Sequence, residues 1–155
     1  EAQILGVYDS RLLQTLPKVL ANLGVRRALV VASEDGLDEV SVSAKTHVAE
    51  LRDGHIQYYE IVPEELGLQR SPLSSVAGGR PEENARIIVE VFQGAQGGPR
   101  DIVVANAGAA LYVAGKTRSW QEGIQLAQEL LDSGATYQKL LEIKQVTEAL
   151  ADDSR

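Results

Sequence analysis

A chain of 155 residues, 44% hydrophobic, with 15 basic against 22 acidic side chains and a formal net charge of -7, can build one sizeable core that buries about 70% of the surface its unfolded form exposes. The negative balance argues against tracking nucleic-acid phosphates or an anionic membrane. With no cysteine in the chain, a disulfide framework, a thiolate metal site and a Cys nucleophile are excluded within it.

No stretch approaches the roughly 18 uninterrupted apolar residues of a membrane span. Glu1 to Leu5 lack the basic and apolar regions of a signal peptide. A cytoplasmic protein is therefore expected. The sequence has no methionine, even at its first position, and is expected to be processed or part of something longer.

In chain order, Leu13, Leu16, Leu20 and Leu23 fall at helical spacing, with Gly24 as a stop. Pro17 should kink or restart this helix, with Thr15 capping the later part. Ala28 to Ala32 is an apolar run that reads as a buried strand, and Asp35-Gly36-Leu37-Asp38-Glu39 follows on the loop at its C-terminal end. Thr46 to Leu51 and His55 to Val62 are β-prone runs around Arg52-Asp53-Gly54, and Asp-Gly is a strong hairpin signal. Pro63 to Val76 carries turn residues with room for one short helical turn, and Gly78-Gly79 closes it.

Arg80-Pro81-Glu82-Glu83 has the proline and acids of a helix start. Ala85, Ile88, Val89 and Phe92 would form its apolar face, with Gly94 at its end. Residues 101 to 114 are apolar on every face, and their alanines favour a buried helix over a strand. Ser119-Trp120-Gln121-Glu122 fits a capping box, and Trp120, Ile124, Ala127 and Leu131 continue as a stripe. After Asp132-Ser133-Gly134, the positions Leu140, Ile143, Thr147 and Leu150 mark a last helix that frays into Ala151 to Arg155. One central strand, one hairpin and about five helices define an α/β chain whose sheet is too small for a self-contained doubly wound domain. Further strands are expected from a preceding segment.

Open α/β sheets place ligands beyond the C-terminal ends of their strands. Read from the residues alone, Glu34, Asp35, Asp38 and Glu39 there form a solvated acidic turn more often than a ligand set, because Mg2+ uses few protein ligands and leaves a weak signature. The alternative is a diphosphate-linked Mg2+ site with Asp38 and Glu39 as ligands and Gly36 allowing the tight turn. Gly78-Gly79 reads as a turn capped by its own acids, since Glu82 and Glu83 would repel an anion there. His47 and His55 lack a partner at metal-ligand spacing. Asn106 reads as a polar residue bonded to neighbouring backbone. Ser33, Ser41 and Ser43 lack a nucleophile-elbow setting, and Trp120 reads as packing.

Taken together, Leu5-Gly6-Val7-Tyr8, Ala28-Leu29-Val30-Val31, Asp35-Gly36-Leu37-Asp38-Glu39, Val48-Ala49-Glu50-Leu51, Pro63-Glu64-Glu65-Leu66-Gly67-Leu68, Glu83-Asn84-Ala85, Asn106-Ala107, Leu111-Tyr112-Val113-Ala114-Gly115 and Asp132-Ser133-Gly134 occur in one order. In this the chain resembles the C-terminal half of the anthranilate phosphoribosyltransferases. The resemblance implies the later part of the α/β domain in a fold of the nucleoside phosphorylase and phosphoribosyltransferase type. It also implies a role in the Mg2+-dependent transfer of phosphoribose from phosphoribosyl pyrophosphate to anthranilate in tryptophan biosynthesis.

On this resemblance Asp38 and Glu39 are metal ligands, no residue of the chain is assigned a catalytic role, and its substrate contacts stay unassigned. The complete enzyme would be a homodimer. The family's His-Gly or His-Ser pair is replaced by Ala32-Ser33. Its Gly-Thr-Gly-Gly-Asp diphosphate loop, its Lys-His-Gly-Asn segment, its anthranilate-binding arginine and its helical domain would precede the matched region, so this chain alone is expected to be inactive. Other readings are a nucleoside phosphorylase-like enzyme, a non-catalytic nucleic-acid-binding paralogue of the same fold, and a small independent binding module.

Overall fold

The computed structural model describes residues 2–152. Four strands form one mixed sheet in the order β1-β2-β3-β4, with β1 (Ala2–Gly6) parallel to β2 (Arg27–Ser33), and β2, β3 (Thr46–Arg52) and β4 (His55–Ile61) successively antiparallel. The hairpin is thus continuous with the central strand. Asp53 at φ 47° and Gly54 at φ 83° supply the two left-handed residues that a two-residue hairpin turn requires. Strand β1 carries no strand signal of its own in the sequence. Its five residues are exposed or half-buried, and pairing with β2, from Ala2 opposite Arg27 to Gly6 opposite Val31, makes them a strand.

Every residue of β2 from Ala28 to Ser33 is buried, because both faces of the sheet are covered. On one face Ala28, Val30, Ala32, Ala49 and Leu51 pack with Val7, Leu13 and Leu20. These last come from the segment that crosses from β1 to β2, a 3-10 stretch at Ser10–Gln14 followed by α1 (Leu16–Asn22). Pro17 restarts the helix as expected. Thr15 stands at the cap, but its side chain makes no capping bond.

On the other face Leu29, Val31 and Val48 meet α3 (Gly98–Val113) and α4 (Trp120–Asp132), with Val104, Ala105, Trp120, Ile124 and Leu131 in the same core. Helices α3 and α4 cross with their backbones in contact. A Cβ on Gly123 would lie 2.3 Å from the Gly108 carbonyl oxygen, and one on Gly108 would lie 2.8 Å from the Ile124 nitrogen. The Trp120 indole N–H donates to the Ala105 carbonyl at 3.3 Å.

Several expectations need correction. Helix α2 (Pro81–Phe92) buries Val91 and packs Ile87 and Phe92 against the core, while Ile88 is exposed. It meets its neighbours along that edge instead of the wider stripe through Ala85 and Ile88. The helix over residues 101 to 114 is not buried on every side: Val103 is 36% exposed. Ser119 does cap α4, accepting from the Glu122 N–H, but the Glu122 carboxylate returns to the Arg118 N–H at 2.8 Å instead of its own cap residue. Helix α5 (Ala135–Asp152) runs as one piece through Ala151, with Leu141, Ile143, Val146 and Leu150 all exposed. Asp152 still belongs to this helix, and Asp153 to Arg155 of the expected frayed end lie outside the described residues.

Candidate metal-binding loop

The loop after β2 begins where the parallel pair ends. Its first task falls to Asp35, which accepts hydrogen bonds from the hydroxyls of Ser33, Ser41 and Ser43, the Ser41 bond at 2.6 Å, and from the Leu37 N–H at 3.4 Å. Partial burial pulls its carboxyl upward, but these donors outweigh burial and hold it below the usual carboxylate range. Asp35 is therefore the organiser of the loop. The three serines that offered no nucleophile in the sequence are its donors, and only the spacing Ser33-x-Asp35 hinted at this. The Gly36 N–H closes onto the Ser33 carbonyl at 3.2 Å, and Gly36 holds φ 87°, where glycine is free of strain.

Asp38 and Glu39 come next, and the loop is pinned on both sides of them. Behind Asp38 is Gly6 at the end of β1: a Cβ there would lie 1.4 Å from the Asp38 carbonyl oxygen, so only glycine admits this approach. After Glu39, Val40 is fully buried and hydrogen-bonded at both backbone groups to Asn106 of α3. Asp38 is exposed and Glu39 half-buried. Burial first, then repulsion from Asp38 and Asp35, pushes the Glu39 carboxyl above its usual range.

Asp38 and Glu39 are adjacent carboxylates, the hard oxygen donors that Mg2+ takes, and as a pair they would make only part of its shell. Among the described residues no group of three or more His, Cys, Asp or Glu could hold a metal ion, and Mg2+ often takes only one or two carboxylates with water and substrate phosphates completing its shell.

The crevice beyond the strand ends is lined by Tyr8, Asp9, Ser33, Glu34, Gly36 and His47, and not by Asp38 or Glu39. His47 is opposite Ala32 in the β2-β3 register. Its ring nitrogens lie 3.4 Å from Glu34 and 3.2 Å from Glu60, and Lys45 reaches Glu60 at 2.8 Å. His55 is at the other end of the hairpin, opposite Arg52, so the two histidines are not brought together. The turn at Gly78-Gly79 is self-satisfied. The Gly79 N–H donates to Asn84 Oδ1 at 2.7 Å and the Arg80 N–H to Glu83 at 2.8 Å, which leaves neither for an anion.

The described residues form an α/β layer whose sheet is covered on both faces, with Asp38 and Glu39 on the loop that follows β2. Residues 1–137 match the family described as "Glycosyl transferase family, a/b domain", and the chain belongs to that family. It is 46% identical over 154 residues to the anthranilate phosphoribosyltransferase of Symbiobacterium thermophilum, covering 99% of this chain and 45% of that protein. It is 50% identical over 138 residues to that of Methanobrevibacter smithii, covering 89% and 41%.

Among solved structures, the anthranilate phosphoribosyltransferase of Thermus thermophilus superposes with a TM-score of 0.84 at 40% identity over 92% of this chain and 42% of that one. The Saccharomyces cerevisiae enzyme in complex with PRPP and Mg does so with a TM-score of 0.79 at 31% identity, over 90% and 41%. The chain thus spans less than half the length of these relatives.

Proposed function

We propose that this chain is the C-terminal portion of the α/β catalytic domain of an anthranilate phosphoribosyltransferase working in the cytoplasm. The observation that carries the reading is similarity to enzymes of that one name along almost the whole chain. In the transfer, the amino nitrogen of anthranilate attacks the anomeric carbon of phosphoribosyl pyrophosphate. The bond to the diphosphate breaks with inversion, and the amine loses a proton. Bound at the loop, Mg2+ would stabilise the leaving diphosphate.

The residues of this chain hold and orient. Asp38 and Glu39 would supply the carboxylates, Asp35 and its serines shape the loop that carries them, and Gly6 and Asn106 pin that loop on either side of the pair. The diphosphate-gripping Gly-Thr-Gly-Gly-Asp loop, the anthranilate pocket and a helical dimerisation domain belong to the rest of the enzyme, which acts as a homodimer.

The test is the double substitution Asp38→Asn with Glu39→Gln in the complete enzyme. The expected result is a lower rate and a higher Mg2+ requirement with the thermal melt and circular dichroism unchanged. Identical kinetics across a Mg2+ titration would remove the pair from the site.

A further inference from the structure

Asparagine is a poor choice for the middle of a helix facing a core, because its amide must be satisfied there or it costs stability. In α3 the side chain of Asn106 meets that demand in a specific way. Its Oδ1 accepts from the Val40 N–H at 2.9 Å, and its Nδ2 donates to the Val40 carbonyl at 3.0 Å and to the Ile102 carbonyl at 2.9 Å, one turn back in its own helix. The bond to Ile102 fixes the rotamer. The two bonds to Val40 satisfy both of its backbone groups, as an adjacent strand would, at a place where the loop has left the sheet.

Val40 directly follows Glu39, and on the other side of the acid pair Gly6 leaves no space behind the Asp38 carbonyl. We infer that Asn106 is a positioning residue that sets the metal affinity of the Asp38-Glu39 loop. It does so by holding the loop in its ligating conformation before the metal arrives. This inference rests on the metal reading above. A loop released at Val40 would have to be ordered by the cation itself, and the apparent affinity falls by the fraction of molecules left in the competent conformation.

The experiment is a Mg2+ titration of the initial rate at saturating substrates in the complete enzyme, comparing the parent with Asn106→Leu and with the Asp38→Asn, Glu39→Gln double variant. Melting is followed in EDTA. Leucine keeps the volume and removes all three bonds. The expected result for Asn106→Leu is a roughly tenfold rise in half-saturating Mg2+, with kcat at saturating Mg2+ within about twofold of the parent, the size expected from losing two net backbone bonds.

A purely structural role would lower the melting temperature and leave the half-saturating concentration unmoved. That outcome, with the double variant shifted, overturns the inference alone. An unshifted double variant overturns the metal reading itself. If Asn106→Leu does not fold, Asn106→Ser is read by the same criterion: a raised Mg2+ requirement supports the inference and an unchanged one overturns it.

Discussion

The carboxylate of Asp35 accepts three serine hydroxyls and an amide, whereas Asp38 in the same loop is exposed. Composition cannot separate two such aspartates. What separates them is which donors the fold brings to each, and Ser41 and Ser43 arrive only because the chain turns back after Val40. The difference is testable by pH. The folded-state pKa of Asp35 is depressed, so its contribution is fully present above the ordinary carboxyl range and is lost as pH falls through the folded value. Asp35→Asn is therefore expected to melt below the parent at neutral pH, and the gap should narrow in acid. A difference in melting temperature that stays constant from pH 7 to about pH 3 would contradict this role.

Helix α3 is the strut of the molecule. Near its middle Asn106 holds the acidic loop. At its C-terminal end the Tyr112 hydroxyl donates to Glu50 of β3 at 2.8 Å, and Arg27 of β2 donates to the Tyr112 carbonyl at 2.9 Å. Glu50 also accepts from Tyr59 of β4, whose phenol is pushed far above its usual range by burial and then by that carboxylate. The helix is thus tied directly to β2 and β3 and, through Glu50, to β4, and it packs against α4.

Propensity and packing make opposite predictions at that crossing. Replacing a mid-helix glycine with alanine should add about 1 kcal/mol of helix stability, but a Cβ on Gly123 would enter the α3 backbone at 2.3 Å. A backbone cannot swing aside as a side chain can, so packing should win. We expect Gly123→Ala to destabilise by roughly 2 kcal/mol or more, as measured by urea unfolding. A neutral or stabilising result would mean that the helices are less closely seated than described.

At the scale of the whole molecule, the chain contains the acid pair but no Gly-Thr-Gly-Gly-Asp segment, and it matches less than half the length of its relatives. The 155-residue chain by itself is expected to form no phosphoribosyl anthranilate from phosphoribosyl pyrophosphate, anthranilate and Mg2+. Measurable turnover by the pure chain would refute the division of labour proposed above. The helical side also carries an exposed apolar concavity lined by Phe92, Val103, Ala107, Leu111, Leu130 and Leu131. No helix among the described residues is long and apolar enough to cross a membrane.

The sequence by itself determined what depends on neighbours in the chain. A proline restarts α1, Asp53-Gly54 turns the hairpin because those two residues tolerate positive φ, Ser119 caps α4, and an unbroken apolar run makes β2 a buried strand. The acidic loop was legible in the same way as a loop with Asp38 and Glu39 as its candidate metal pair, and family resemblance turned the reading of that pair from a solvated turn to metal ligands. Only the tertiary structure decided that Ala2–Gly6 is a strand, that Ile87 and not Ile88 faces the core, that three scattered serines serve one aspartate, and that Asn106 holds Val40. Each depends on a partner supplied by the fold, in the last case 66 residues away, and hydrogen bonding or close packing at that separation leaves no mark on local periodicity.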